Sequence, residues 1–441
     1  MRAIVAGFCL LACACEKPTA HAECPRVPIT PAPAAAPTPV PSVPVVVEPV
    51  SLAPDAPKAT PKELAAVAQS INQLGAAAYP HLATGSHNAV FSPVSVTMVL
   101  SMLAAGASGP TQGRFAKALA FGLPPDRQYR ALGDLGRRFR KFNRPRLTVA
   151  SANALFGNRR QAFRPEFLAD LRAVYDSELS LLDFSDSDHA ATVVNQWIAT
   201  QTHGRIQDAI SKALFLPDPL PVPLVVANAL YFKGRWEAEF DKGMTYKRRF
   251  WADGSRAVQV PTMQQMGDYQ LARHANFAVL EMDYVGQAFS MVVLLPNARE
   301  GLAALEQECL TRDLAACLKN LSFAYVDVRL PRFRIETESM SFKPVLEQLG
   351  LSQLFVPGGE TFARLSADAA PIFLRDLVQK AFVVVDEEGT EAAAATVAMG
   401  GVGDLPPEPV RFYVDHPFLF LIRDKRTRAV LFAGRVTNPQ S

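Results

Sequence analysis

Residues 387–401 read EEGTEAAAATVAMGG. Glu388 to Ala395 is rich in helix formers, with four consecutive alanines at 392–395. Yet the run has no large apolar side chain with which a helix could dock on a core. It follows the β-branched run Phe382–Val383–Val384–Val385, which reads as a buried strand. It then runs into Gly400, Gly401 and Gly403. Alanine is also a poor strand former, so the stretch suits neither a packed helix nor an ordinary strand.

Outward from this stretch, the chain before and after reads as conventional folded protein. Leu64, Val67, Ala68, Ile71 and Leu74 keep helical spacing after Thr60–Pro61, a cap followed by a first-turn proline. Another helix is expected from Ser92–Pro93 to Gly106, and residues 190–203 read helical. Leu147–Phe156 reads as a strand. From 222 onward strand-like runs follow one another: 224–232, 278–282, 289–295, 325–330, 381–385, 418–422 and 429–432. Helices early and strands late predict an α+β fold, with 63–441 as one large domain.

The chain has 441 residues, 49% of them apolar, enough to bury a large core. A net charge of +3, from 45 basic and 42 acidic residues, comes without a basic cluster interleaved with aromatics. Nucleic acid is not expected, and no basic patch suggests a polyanion cofactor. The first residues, MRAIVAGFCLLACAC, have signal-peptide character over 1–12. Leu10–Leu11–Ala12–Cys13 resembles a bacterial lipobox, in which Cys13 is lipidated. Cys15 is a rival anchor, and the alternative is an ordinary signal peptide cut nearby. Residues 13–62 read as a disordered linker: 13 of the 49 residues in 14–62 are proline. At ~3.1 Å per residue, a polyproline II tether of this length reaches on the order of 150 Å.

Cys309 and Cys317 are the two cysteines of the globular part. Eight residues of continuous helix span ~12 Å, too far for a disulfide, so two partly buried thiols are expected unless the helix breaks. No cysteine and histidine spacing suggests a metal. The seven histidines form no HExxH, and there is no GxSxG, GxGxxG or phosphate-binding loop. The chain is therefore not expected to be an enzyme, and no cofactor is implied.

Several motifs, in order, resemble the serpin family of protease inhibitors. They are Asn88–Ser95 (NAVFSPVS), Ser151–Gly157 (SANALFG), Asn195–Ile198 (NQWI) with Thr202–Ile206 (THGRI), and Asn228–Trp236 (NALYFKGRW). Leu330–Phe333, Glu387–Thr396, Asp415–Phe420 (DHPFLF) and Ala433–Val436 follow. The resemblance spans 63–441. It implies three β-sheets, eight or nine helices and an exposed reactive loop toward the C-terminus.

It also implies a suicide mechanism. A serine protease, or sometimes a cysteine protease, cleaves the loop and becomes trapped as a covalent acyl-enzyme. The loop meanwhile inserts as a new strand of the largest sheet. The implied hinge is Glu387, Glu388, Gly389, Thr390, Glu391, Ala392, Ala393, Ala394, Ala395 and Thr396. Glycine permits the bend. With Thr390 inward, strand alternation also sends Ala392, Ala394 and Thr396 inward, all small and uncharged, and leaves Glu391 outside. The implied polar cluster under the sheet is Ser92, Ser95, Asn228 and Gln379. The family often has histidine where Gln379 stands, so pH sensing there is put in doubt. Trp236, Arg332 and Glu387 match the top of the sheet, where an Arg332–Glu387 ion pair is expected, worth ~0–1 kcal/mol if partly exposed.

Counted along the family's loop from Glu387, the cleaved bond falls at Gly403–Asp404, with Met399, Val402 and Leu405 as alternatives. Residues 389–410 hold no Lys or Arg, which favours elastase-, subtilisin- or papain-like targets over trypsin-like ones. The expected whole is a secreted bacterial monomer, held to the cell envelope by lipid alone. A non-inhibitory serpin acting as a binding or structural module is the alternative.

Overall fold

The computed structural model describes residues 57–142, 146–217, 220–358, 362–366, 371–390 and 408–440, with only the backbone at Ser151 and Ala152. All belong to one compact unit, Val47–Ser441.

The helices are α1 (Pro61–Leu82), α2 (Pro93–Gly106), α3 (Gly109–Ala118), α4 (Pro125–Arg140), α5 (Pro165–Asp170) and α6 (Ser187–Gln201). Three short ones follow: α7 (Leu302–Leu305), α8 (Leu314–Cys317) and α9 (Lys343–Leu346). The start of α1 is fixed by a capping box. The Thr60 hydroxyl accepts from Glu63 N–H at 3.3 Å, and the Glu63 carboxylate accepts from Thr60 N–H at 2.8 Å. Ser92 caps α2, and every residue of α2 is buried, which makes it the helical centre of the fold.

The strands are β1 (Ala89–Phe91), β2 (Leu147–Asn158), β3 (Leu179–Leu182), β4 (Leu224–Arg235), β5 (Tyr246–Ala252), β6 (Arg256–Arg273), β7 (Phe277–Asp283) and β8 (Phe289–Pro296). The second half comprises β9 (Ser322–Pro331), β10 (Phe333–Glu336), β11 (Met340–Ser341), β12 (Val378–Val385) and β13 (Gly389–Thr390). Then come β14 (Val410–Tyr413), β15 (Phe418–Asp424) and β16 (Val430–Val436).

One sheet runs β10–β12–β4–β2–β3, with β11 beside β12 and β13 beside β4. The other runs β1–β16–β15–β8–β7–β6–β9–β14, with β5 on β6. Three sheets are implied by the family resemblance; here the second and third are joined. The cause is the 18-residue strand β6, which pairs β5 over 256–262, β9 over 262–271 and β7 over 270–273.

The expected thiols at Cys309 and Cys317 are instead a disulfide, with Cα atoms 5.7 Å apart. The helix does break between them. Asp313 leaves helical geometry (φ −152°, ψ 85°), and its carboxylate caps α8 by accepting from Ala316 N–H at 2.9 Å. The reversal brings the two sulfurs into bonding range.

Candidate functional site

The end of β12 carries the expected hinge. The chain turns back on itself there. Asp386 N–H donates to Gly389 O at 2.9 Å and Gly389 N–H to Asp386 O at 3.2 Å, so Glu387 and Glu388 form a two-residue turn. Gly389 has φ +144°, and a Cβ there would lie 2.0 Å from Gly234 O. Only glycine meets both demands. Past the turn, Gly389 and Thr390 pair antiparallel with Arg235 and Gly234 of β4.

The turn is held by one segment after β4. Trp236 N–H donates to Glu388 O at 2.9 Å, its indole N–H to Asp386 O at 2.9 Å, and Phe240 N–H to Glu387 O at 2.8 Å. Three successive carbonyls are thus occupied by two aromatic residues. The Trp236 ring stacks on Tyr284 with centroids 4.7 Å apart. Tyr284 in turn shares a 2.8 Å hydrogen bond between hydroxyls with Thr390, which is buried.

The expected Arg332–Glu387 pair is present, with Arg332 Nε donating to Glu387 Oε1 at 2.7 Å. The Glu387 side chain is 2% exposed and that of Arg332 43%. Thr245 also donates its hydroxyl to Glu387. Burial pushes the Glu387 carboxyl up, but the bonds from Arg332 and Thr245 outweigh it and hold it below its ordinary value. Burial has the upper hand at Asp386, whose carboxyl is pushed up. Lys242 pairs with the buried Glu388 carboxylate.

Below the turn the two central strands part. β12 pairs parallel with β4 from Val378↔Ala227 to Phe382↔Tyr231. Above that rung, among the described residues, β12 pairs β10 on its other side alone, while β4 meets Thr390 at Gly234. Among the described residues, Phe232 and Lys233 have strand partners on the β2 side alone.

The polar cluster under the sheet is assembled as expected, with one member more. Asn153, Asn228 and Gln379 stand opposite one another on β2, β4 and β12. Asn228 donates to Asn153 Oδ1 at 2.9 Å, and Gln379 donates to Asn228 Oδ1 at 2.6 Å. The row is tied to the start of α2. Ser92 N–H donates to Gln379 Oε1 at 2.7 Å, and Gln379 returns a bond to Ser92 O at 3.2 Å. Asn228 donates to Ser95 Oγ at 2.9 Å, and Ser95 Oγ donates to Asn153 Oδ1 at 2.8 Å. Asn153 was not singled out from sequence. Its signal is a lone amide within the small apolar run Ser151–Leu155.

Glu391, Ala392, Ala393, Ala394, Ala395 and Thr396 lie outside the described residues, as do Met399, Val402, Gly403, Asp404 and Leu405. Cys13 lies outside them too. The sequence also obscured a basic helix: α4 carries Arg127, Arg130, Arg137, Arg138 and Arg140. Four of these engage in internal ion pairs, with Glu63 at 2.7 Å, Asp134 at 2.8 Å, Asp424 at 2.9 Å and Asp176 at 3.2 Å.

Residues 69–439 match the family model described as Serpin (serine protease inhibitor). The leukocyte elastase inhibitor of Sus scrofa is 34% identical over 367 residues, covering 80% of this chain and 93% of that protein. Iripin-3 of Ixodes ricinus is 35% identical over 377 residues, covering 83% and 93%. Among solved structures, Serpin48 of the insect Tenebrio molitor aligns with a TM-score of 0.74 at 30% identity, covering 84% of this chain and 98% of that one. Human thyroxine-binding globulin aligns with a TM-score of 0.75 at 27% identity, covering 86% and 99%. The chain belongs to the serpin family.

Proposed function

We propose that this serpin inhibits serine proteases, and some cysteine proteases, by a suicide mechanism. The loop after Thr390 is cleaved, and before the acyl-enzyme hydrolyses it inserts between β4 and β12. The observation that carries this reading is the antiparallel pairing of Gly389 and Thr390 with β4. The first rungs of a new central strand already exist in the uncleaved chain.

Continuing that register along β4 sets out the path. Glu391 meets Lys233, Ala392 meets Phe232, and Ala393 meets Tyr231, where β12 is still paired. Two residues therefore enter without breaking a rung, and each further one displaces a rung of the parallel ladder. Thr396 arrives opposite Asn228, so the Gln379–Asn228 bond must open and a hydroxyl takes its place. Residues 392, 394 and 396 share the face of Leu230 and Phe232, which lie in the main core. Small side chains fit there and a charge does not. Glu391 falls on the opposite face, beside Lys233.

The cleaved bond is Gly403–Asp404 in this reading, with Met399, Val402 and Leu405 as the neighbouring choices. The absence of Lys and Arg from 389–410 supports elastase-, subtilisin- or papain-like targets. The Cys309–Cys317 disulfide supports export to an oxidising compartment. Export would be followed by lipid attachment at Cys13 to a bacterial envelope.

The test is incubation with elastase, subtilisin, papain and trypsin. The expected result is a complex that survives boiling in detergent with one of the first three, and a loop mass placing the cut near Gly403. Cleavage by all of them, without a complex or loss of protease activity, would favour the non-inhibitory alternative. Fatty-acid labelling that is lost in Cys13→Ser checks the anchor.

A further inference from the structure

Strand β5 is an outer edge of the larger sheet, paired with β6 alone among the described residues. Its run Tyr246–Lys247–Arg248–Arg249–Phe250–Trp251 is an exception to the absence of basic clusters expected from the sequence. In an antiparallel pair, alternate residues turn their backbone groups toward and away from the partner. Trp251 N–H donates to Asp415 O at 2.8 Å and Asp253 N–H to Thr437 O at 3.1 Å, so the odd-numbered groups of this stretch face away from β6. Pro261, which has no N–H to give, stands opposite Lys247, in keeping with that parity. The outer groups at 251 and 253 are thus covered. The N–H and C=O groups of Lys247 and Arg249 remain open among the described residues.

The same two residues send exposed cationic side chains to one face of the strand. The guanidinium carbons of Arg249 and Arg299 lie 5.5 and 3.9 Å from the centre of the Trp251 ring. A guanidinium stacked on a ring keeps its N–H edge available to a carboxylate. No carboxylate pairs with Lys247, Arg249 or Arg299 among the described residues. Two nearby acids are engaged elsewhere: Asp253 lies 3.8 Å from Arg256, and Asp415 bonds His416 at 2.7 Å.

We propose that this edge docks an extended acidic peptide, which adds a strand to β5 and lays its carboxylates along Lys247, Arg249 and Arg299. Charges on an edge strand commonly serve to keep other strands away. Here the exposed charges are of one sign, so they repel basic segments and select acidic ones. The open backbone groups choose a peptide over other anions, because a polypeptide offers N–H and C=O groups at the spacing of a strand. The site is independent of the inhibitory reading and of the loop.

The test is titration of the full chain into a fluorescein-labelled peptide of alternating threonine and glutamate, followed by fluorescence anisotropy. Saturable binding is expected, and none for the peptide with lysine in place of glutamate. The glutamate peptide N-methylated throughout keeps its charge but loses its donors, and should bind about tenfold more weakly. Lys247→Gln with Arg249→Gln should weaken binding of the unmethylated peptide about fivefold. Both residues are exposed, so the double variant folds. Arg249→Pro removes an N–H that faces away from β6, a place where an edge strand tolerates proline. It should bind more weakly than Arg249→Gln. Absence of saturable binding overturns the proposal, as does equal binding of the lysine or the methylated peptide. So does binding unchanged in the double variant, or Arg249→Pro that binds as well as Arg249→Gln. None of these readouts involves a protease, so they stand or fall apart from the inhibitory function.

Discussion

The hydroxyls of Tyr284 and Thr390 lie 2.8 Å apart, with the two residues 0% and 1% exposed. A residue of the proposed hinge is thus bonded into the sheet interior. Thr390→Arg would place a charge against the buried Tyr284, at a cost of several kcal/mol. The arginine is expected to stay outside and hold the hinge back. The variant should be cleaved as a substrate, with at least tenfold more inhibitor consumed per protease inactivated. Gel titration against elastase measures this, and an unchanged ratio would count against insertion.

Arg332 and Glu387 form an unequal pair, the acid enclosed and the base nearly half exposed. Arg332→Ala leaves the buried carboxylate with Thr245 as its remaining side-chain donor. A loss of about 1–2 kcal/mol is expected, discounted for the exposure of the guanidinium. Urea denaturation measures it.

The same carboxylate sets a pH dependence. Its folded pKa lies below the ordinary 4.5, so its contribution is fully present above that value and is lost as pH falls through the folded pKa. Asp386 is shifted upward and works in the opposite sense. Comparing wild type with Glu387→Gln isolates the first effect. Wild type should be the more stable at pH 7, and the difference should shrink below about pH 4.5. A difference that is constant from pH 7 to 3 would contradict the assignment.

Gln379→Leu removes the bonds to Ser92 N–H, Ser92 O and Asn228 at a fully buried position. Leaving these groups unpaired should cost about 2–4 kcal/mol. Calorimetry checks the loss. Because the row also resists parting of β4 and β12, the variant should convert spontaneously to a loop-inserted, inactive form faster than wild type.

Cys309→Ser with Cys317→Ser releases a short closed segment, which the chain-entropy model values at about 2–3 kcal/mol. The melting temperature of the double variant should fall. Mass spectrometry after alkylation without reductant should find both thiols blocked in wild type.

Much of this architecture could be read in the sequence where apolar runs are long. The strand expected at 289–295 is Phe289–Pro296, and the helix expected from 93 to 106 has those bounds. The longest strand, β6, escaped notice because Pro261, Gln264, Gln265, Gly267 and Asp268 break its apolar pattern. Its pairing comes from neighbours on both sides rather than from its own propensity. Helix α4 hid behind charge, although Tyr129, Leu132, Leu135 and Phe139 keep helical spacing on its buried side. The places of Gly389 in the turn and Thr390 in the sheet interior answer to a chemical demand on each residue type. Asn153 was not legible, since one amide in a strand acquires meaning only when Asn228 and Gln379 arrive beside it. The disulfide is not legible in the sequence because the helical run between the cysteines is broken by Asp313, the cap of the next helix.

The long strand β6 has a mechanical consequence. One uninterrupted backbone is stitched to β5, β9 and β7 in turn, so the larger sheet cannot divide between its two halves without tearing a ladder. The smaller sheet has a seam of five parallel rungs at its centre, and above them a short unstitched length. Strain applied at the top of the molecule will therefore be relieved in the smaller sheet. The larger one serves as the rigid frame against which it yields.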